Sequence, residues 1–185
     1  MSSATELAEL LVNDASAWRA WLDEHESTSD GVWLRLAKKG TTAPTSLRYA
    51  EALDEALCSG WIDGQSKSLD ASTYRQRFTP RRPRSLWSSR NVDHVTRLSA
   101  EGRMRSRGIA EVERAQADGR WAAAYAGPAG MEIPHELAAA LSNSSVATSA
   151  FAGLSSQNRY AMLHRITTAK KAATRERNAV KFVAM

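Results

Sequence analysis

The sequence predicts an α+β protein: a small antiparallel sheet with packed helices, followed by a helical C-terminal segment. Three observations predict it. Val32-Trp33-Leu34-Arg35-Leu36 places Val32, Leu34 and Leu36 on one face, the period of a half-buried strand. Trp61–Leu69 and Tyr74–Thr79 flank the turn Asp70–Thr73 as the two arms of a hairpin. Beyond Pro134 the apolar residues recur only at helical spacing.

The elements follow in order. Glu6–Val12 fits either a helix turn or an edge strand. Over Ser16–Glu26, Trp18, Trp21, Leu22 and His25 fall at i, i+3, i+4 and i+7, an amphipathic helix that Asp14 or Ser16 can cap. Asp30-Gly31 turns the chain into the first long strand, and Lys38–Pro44 is a loop. Ser46 is the expected cap of a helix over Leu47–Ser59, with Gly60 past its end. In the hairpin, Tyr74, Gln76 and Phe78 share one face while Arg75 and Arg77 point the other way. Gly64 inside the first arm signals a bulge or a close backbone approach. Pro80 and Pro83 end the sheet and predict an extended, exposed arm. Helices are expected from Ser88 or Ser89 to about Ala100 and over Gly108–Arg120. Ala126–Pro134 is the linker. Four helices follow: His135–Leu141, Val146–Leu154, Ser156–Ala169 and Thr174 onward. The expected organisation is therefore an α+β domain over residues 1–127 and a helical segment over 128–185.

Charge is strongly partitioned. Tyr74–Gly108 and a C-terminal cluster from Arg159 to Lys181 hold 17 of the 25 basic residues but 3 of the 20 acids. A dense set of guanidinium groups needs anions, and arginine meets phosphate or carboxylate with a planar two-pronged donor. The first candidates are Arg75 and Arg77 on one sheet face, then Arg81, Arg82 and Arg84 on the proline-stiffened arm. Trp87 beside them is placed to stack on a base or a guanidinium. Lys170, Lys171 and Arg175 supply auxiliary charge at the C-terminal helices. Asp63, in Trp61-Ile62-Asp63-Gly64-Gln65, can orient Arg75 or Arg77 across the hairpin. Two outcomes are open for the arginines: an outside anion, or internal pairing with acids such as Asp54, Glu55, Asp63 and Asp70.

Other chemistries find little support. The glycines never take Walker or dinucleotide spacing, and no Gly-x-Ser-x-Gly elbow occurs. His94, His135 and His164 are isolated, so neither a metal nor a cofactor is expected. Cys58, at a helix C-terminus where the dipole disfavours a thiolate, is expected to be a buried structural residue. With one cysteine no intrachain disulfide forms, and MSSATELAELLVNDAS lacks the basic and apolar regions of a secretory signal. No stretch reaches the roughly 20 apolar residues of a membrane helix. These observations predict a cytoplasmic protein with no membrane insertion.

GVWLRLAKKG, EALDEALCSGWIDGQ, YRQRFTPRRPRSLWSSRNV and QNRYAMLHRITTAKKAATRERNAVKFVAM together resemble the YdeI/OmpD-associated family, also labelled bacteriocin-protection proteins. The resemblance spans about Trp18–Met185. It implies a poorly characterised protein with no established catalytic residues, and a stress or antimicrobial-peptide resistance role exercised through a protein partner. The residues themselves point first to a non-enzymatic protein whose basic surface engages nucleic acid or a phosphorylated ligand. An enzyme is the third expectation, with a pocket around Asp63, Arg75 and Arg77 lined by Trp33 or Trp61.

Overall fold

A computed structural model describes residues 7–127 and 131–184. These residues form two compact units, drawn from 1–85 with 91–122 and from 86–90 with 123–185. Part of the linker, residues 128–130, lies outside the described residues, and the expected 127/128 boundary falls there.

The first unit holds β1 (Glu9–Leu10), α1 (Ala15–His25), β2 (Val32–Ala37), α2 (Tyr49–Cys58), β3 (Trp61–Ser68), β4 (Thr73–Pro80), most of α3 (Ser89–Ala100) and α4 (Ser106–Ala117). Its four strands lie in the order β1-β2-β4-β3. β1 runs parallel to β2, and the β2–β4 and β4–β3 pairs are antiparallel. The segment around Glu9 is thus a short edge strand, and it makes the sheet mixed.

Register fixes what each face carries. Val32, Leu34 and Leu36 sit opposite Phe78, Gln76 and Tyr74, and this face builds the core. Trp18 of α1 packs 5.7 Å from Phe78 and meets Trp61 edge-on at 6.2 Å, centroid to centroid. Its indole N–H donates to the Ala52 carbonyl of α2 at 3.1 Å. Tryptophan supplies both a large apolar body and a polar handle, so this one residue ties α1, α2 and the sheet together.

Asp14 caps α1 by accepting from the Ala17 N–H at 2.9 Å. The expected cap of α2 is corrected. Ser46 donates to the Asn13 carbonyl, and Leu47 accepts from the Ala37 N–H, so residues 46–48 stay extended. The helix starts two residues later, at Tyr49, with the Arg48 N–H held by the Glu51 carboxylate at 3.1 Å. Gly60 ends it with φ +71°, a conformation that suits glycine. Gly108 lets α4 approach α2: a Cβ there would overlap the Cys58 carbonyl.

The second unit contains α5 (His135–Ser142), α6 (Ser145–Ala152), α7 (Ser156–Thr167) and α8 (Ala172–Val183). Leu137, Leu141, Phe151, Leu163, Ile166 and Ala179 form its core. Trp87 and Tyr125 are joined in the same unit, where the Tyr125 N–H donates to the Trp87 carbonyl at 3.0 Å.

Candidate anion-binding face

The sheet face turned away from the core carries the basic residues. Arg35 of β2, Arg75 of β4 and Lys67 of β3 stand in one register row across three strands. Arg77 lies two residues along β4, opposite Trp33. Trp33 occupies the middle of this face: the Lys67 ammonium lies 5.0 Å from its ring centroid and the Arg75 guanidinium 5.2 Å. Cation–π attraction holds both cations over the ring. Trp33 is only 9% exposed.

Two carboxylates share the face. Asp70 holds Arg35 at 2.7 Å, and Glu9 lies 3.4 Å from Arg75. The hydroxyls and N–H groups of Thr73 and Ser72 keep the Asp70 carboxyl well below the usual carboxylate range, so it stays ionised. Among the described residues, Arg77, Arg82 and Arg84 have no carboxylate partner, and Arg82 and Arg84 are exposed.

The β3 bulge decides which residues join this face. Asp63 pairs with Phe78 but Ser66 pairs with Gln76, so β3 carries one extra residue around Gly64. In an unbroken strand Lys67 would share the core side with Trp61 and Asp63. The extra residue flips it onto the basic face. Arg35 and Lys67 were absent from the sequence-based candidates, although strand alternation and the glycine in Trp61-Ile62-Asp63-Gly64-Gln65 carried the signal for both.

Several expectations are corrected. The arm after β4 is not an extended exposed segment. Arg81 is only 4% exposed, its N–H donating to the Gly60 carbonyl, and Arg82–Ser85 closes a turn through a 2.9 Å backbone bond. Trp87 is 2% exposed, so its ring is closed to a stacking base. Asp63 does not orient Arg75 or Arg77: it lies on the other sheet face and accepts from the Tyr49 hydroxyl at 2.9 Å. The sheet separates Asp63 and Trp61 from Arg75, Arg77 and Trp33, so these five cannot line one pocket.

Internal pairing claims the later arginines of the run. Glu55 of α2 accepts from Arg103 at 2.6 Å and from Arg105 at 2.7 Å, and Asp54 holds Arg97 at 2.7 Å and His94 at 3.0 Å. Arg105 also reaches the Ser59 hydroxyl and Asp23. Cys58 is buried beside this lattice. Burial first, and the Glu55 charge second, push its thiol up to about 11, which keeps it protonated.

In the C-terminal unit, Arg175 donates from Nε to Glu136 Oε1 at 2.6 Å, while Lys170 and Lys171 are exposed between α7 and α8. Among the described residues no group of three or more His, Cys, Asp or Glu side chains is placed to hold a metal ion. No helix there is long and apolar enough to cross a membrane.

A mixed four-stranded sheet with a basic outer face, together with a helical C-terminal unit, defines a two-unit α+β protein with a candidate anion-binding surface. Residues 10–111 match a domain of unknown function (DUF8412), and residues 130–185 match the model described as Bacteriocin-protection, YdeI or OmpD-Associated. The chain belongs to the first of these families over more than half its length and, through its C-terminal region, to the YdeI/OmpD-associated family. No curated protein and no solved structure matches it.

Proposed function

We propose that this protein binds the phosphate backbone of nucleic acid across the outer face of its sheet. The observation that carries the proposal is the register row Arg35–Arg75–Lys67, continued by Arg77, with Glu9 and Asp70 as the acids on the same face. Arg82 and Arg84, in the turn after β4, are two further exposed cations with no carboxylate partner among the described residues. Arginine and lysine supply phosphate contacts that position a nucleic acid without reading its sequence. Because Trp33 lies beneath Arg75 and Lys67, it supports cations rather than stacking bases. Binding is therefore expected to be indifferent to base sequence and steeply dependent on salt.

Fluorescence anisotropy of labelled duplex DNA and single-stranded RNA over a salt series tests this. Each neutralised phosphate contributes about −0.9 to the log–log slope on duplex DNA. Arg77→Glu/Arg82→Glu/Arg84→Glu is expected to abolish measurable binding at moderate salt. Parental affinity in that variant removes the proposal. Saturable binding of inorganic phosphate or a mononucleotide, with no gain from longer nucleic acid, would redirect it to a phosphorylated small ligand. A cytoplasmic location accompanies this reading, and cell fractionation checks it.

A second reading, resistance through a protein partner, draws on the bacteriocin-protection family matched by residues 130–185 and on an apolar cavity of about 480 Å³ in the same unit. Leu137, Phe151, Met162 and Phe182 help line that cavity. Capture of one defined protein that survives nuclease treatment, and is lost when Met162 is replaced by Asp, separates it from nucleic-acid binding.

A further inference from the structure

The C-terminal unit contains a second cavity, of about 830 Å³, within the range of about 300–1,000 Å³ typical of small-ligand sites. Met131, Ile133, Pro134 and Ala138 give it an apolar wall. Its charged lining differs in kind from the sheet face. Arg175, Glu136 and Glu132 all line it.

Arg175 is held in place. Its Nε donates to Glu136 Oε1 at 2.6 Å and its Nη1 to the Ala169 carbonyl at 3.2 Å. Nη2 has no hydrogen-bond partner among the described residues, and the side chain keeps 29% exposure. Glu136 is already engaged: its side chain is 4% exposed, with Oε1 on Arg175 and Oε2 3.3 Å from His135 Nδ1. Glu132 is exposed and has no ion-pair partner among the described residues. The cavity therefore offers one preorganised guanidinium edge and one unengaged carboxylate beside apolar surface.

We infer that this cavity binds a small zwitterion with an apolar body, that is, an α-amino acid bearing an aliphatic or aromatic side chain. The carboxylate meets Arg175 Nη2, the ammonium meets Glu132, and the side chain lies on Met131, Ile133 and Pro134. A ligand that is only an anion faces the negative charge of Glu132 with nothing to offset it. A ligand that is only a cation satisfies Glu132 but leaves Arg175 Nη2 without an acceptor. Opposite charges on one ligand answer both, and fixing Arg175 beforehand lowers the ordering cost of binding. A polyanion is disfavoured here, so the site is independent of the sheet face.

Titration of the ¹⁵N-labelled full chain with L-leucine, followed through the amides of Ala138 and Thr167, tests the inference. Saturable shifts are expected with L-leucine. Binding at least about tenfold weaker is expected for 4-methylpentanoate, which lacks the ammonium, and for 3-methylbutylamine, which lacks the carboxylate. Glu132→Gln should weaken leucine by a similar factor and leave 4-methylpentanoate no weaker. Arg175→Lys keeps a cation beside Glu136 but removes Nη2, and should lose leucine with the amide spectrum of the unit otherwise intact. If Arg175→Lys unfolds the unit, the Glu132→Gln comparison alone decides, since Glu132 lies at the surface. No saturable shift up to about 10 mM leucine, ten times the Kd of a millimolar ligand, overturns the inference. So does equal binding by either half-ligand, or parental leucine binding in Glu132→Gln.

Discussion

Arg77, Arg82 and Arg84 belong to the same arginine-rich run as Arg97, Arg103 and Arg105, yet the two sets have different surroundings. The later set converges on α2, where Asp54 and Glu55 hold guanidiniums at 2.6–2.7 Å. The earlier set meets no carboxylate among the described residues. The C-terminal basic cluster divides in the same way: Arg175 is locked to Glu136, while Lys170 and Lys171 face solvent. Arginine density alone therefore does not measure the charge available to a partner. What matters is whether a buried carboxylate lies within reach.

The largest effect should come from the lattice. Glu55 is 7% exposed and holds two arginines, so Glu55→Ala leaves guanidiniums poorly matched in a sequestered site. A loss of about 3–5 kcal/mol is expected, read as a lower urea midpoint at unchanged m-value. A loss under about 1 kcal/mol would erase the distinction between the two sets.

Next comes the helix approach that brings Arg105 to Glu55. Gly108→Ala forces a methyl group against the Cys58 carbonyl. Overpacking of this kind costs about 1–3 kcal/mol, and thermal unfolding would show it. The same change should speed reaction of Cys58 with a thiol reagent at neutral pH if it loosens the burial that keeps the thiol protonated.

A smaller, pH-dependent effect sharpens the C-terminal half of the comparison. The hydrogen bond from Arg175 holds the Glu136 carboxyl below its ordinary value. A folded-state pKa below the unfolded one means that the pair stabilises the fold fully above the ordinary glutamate range. That stability is lost as pH falls through the lowered value. Chemical denaturation between neutrality and pH 3 should show the loss in the parent and a shallower dependence in Glu136→Gln.

The smallest effect belongs to the unpaired set. Arg82→Glu/Arg84→Glu removes no ion pair among the described residues, and exposed substitutions of this sort usually stay within about 0.5 kcal/mol. Stability should hold while nucleic-acid binding falls. A large stability loss would mean that these arginines also belong to an internal network.

Much of the first unit was legible because alternation is local. Val32, Leu34 and Leu36 announced a buried strand face, and Trp18 with Leu22 announced the helix that covers it. The arm was misread for an equally physical reason. Pro80 and Pro83 signal an end to regular pairing, but they do not say whether the following chain leaves the surface. The buried Arg81 and Trp87 show that it does not. Ser46 was a plausible cap by residue type, yet its bonds to Asn13 and the pairing of Leu47 with Ala37 hold that stretch extended. Lys67 was missed because a bulge reverses strand parity. Gly64 marked the bulge but could not state its consequence for residues three positions away.

The chain itself specified its elements, their apolar faces and its uneven charge, since each is written in residue type and short-range spacing. Folding alone decided which arginines meet Asp54 and Glu55, which side of the sheet Lys67 takes, and where Arg175 meets Glu136. Those outcomes depend on distances between segments tens of residues apart, and such distances are set by packing and register rather than by local order along the chain.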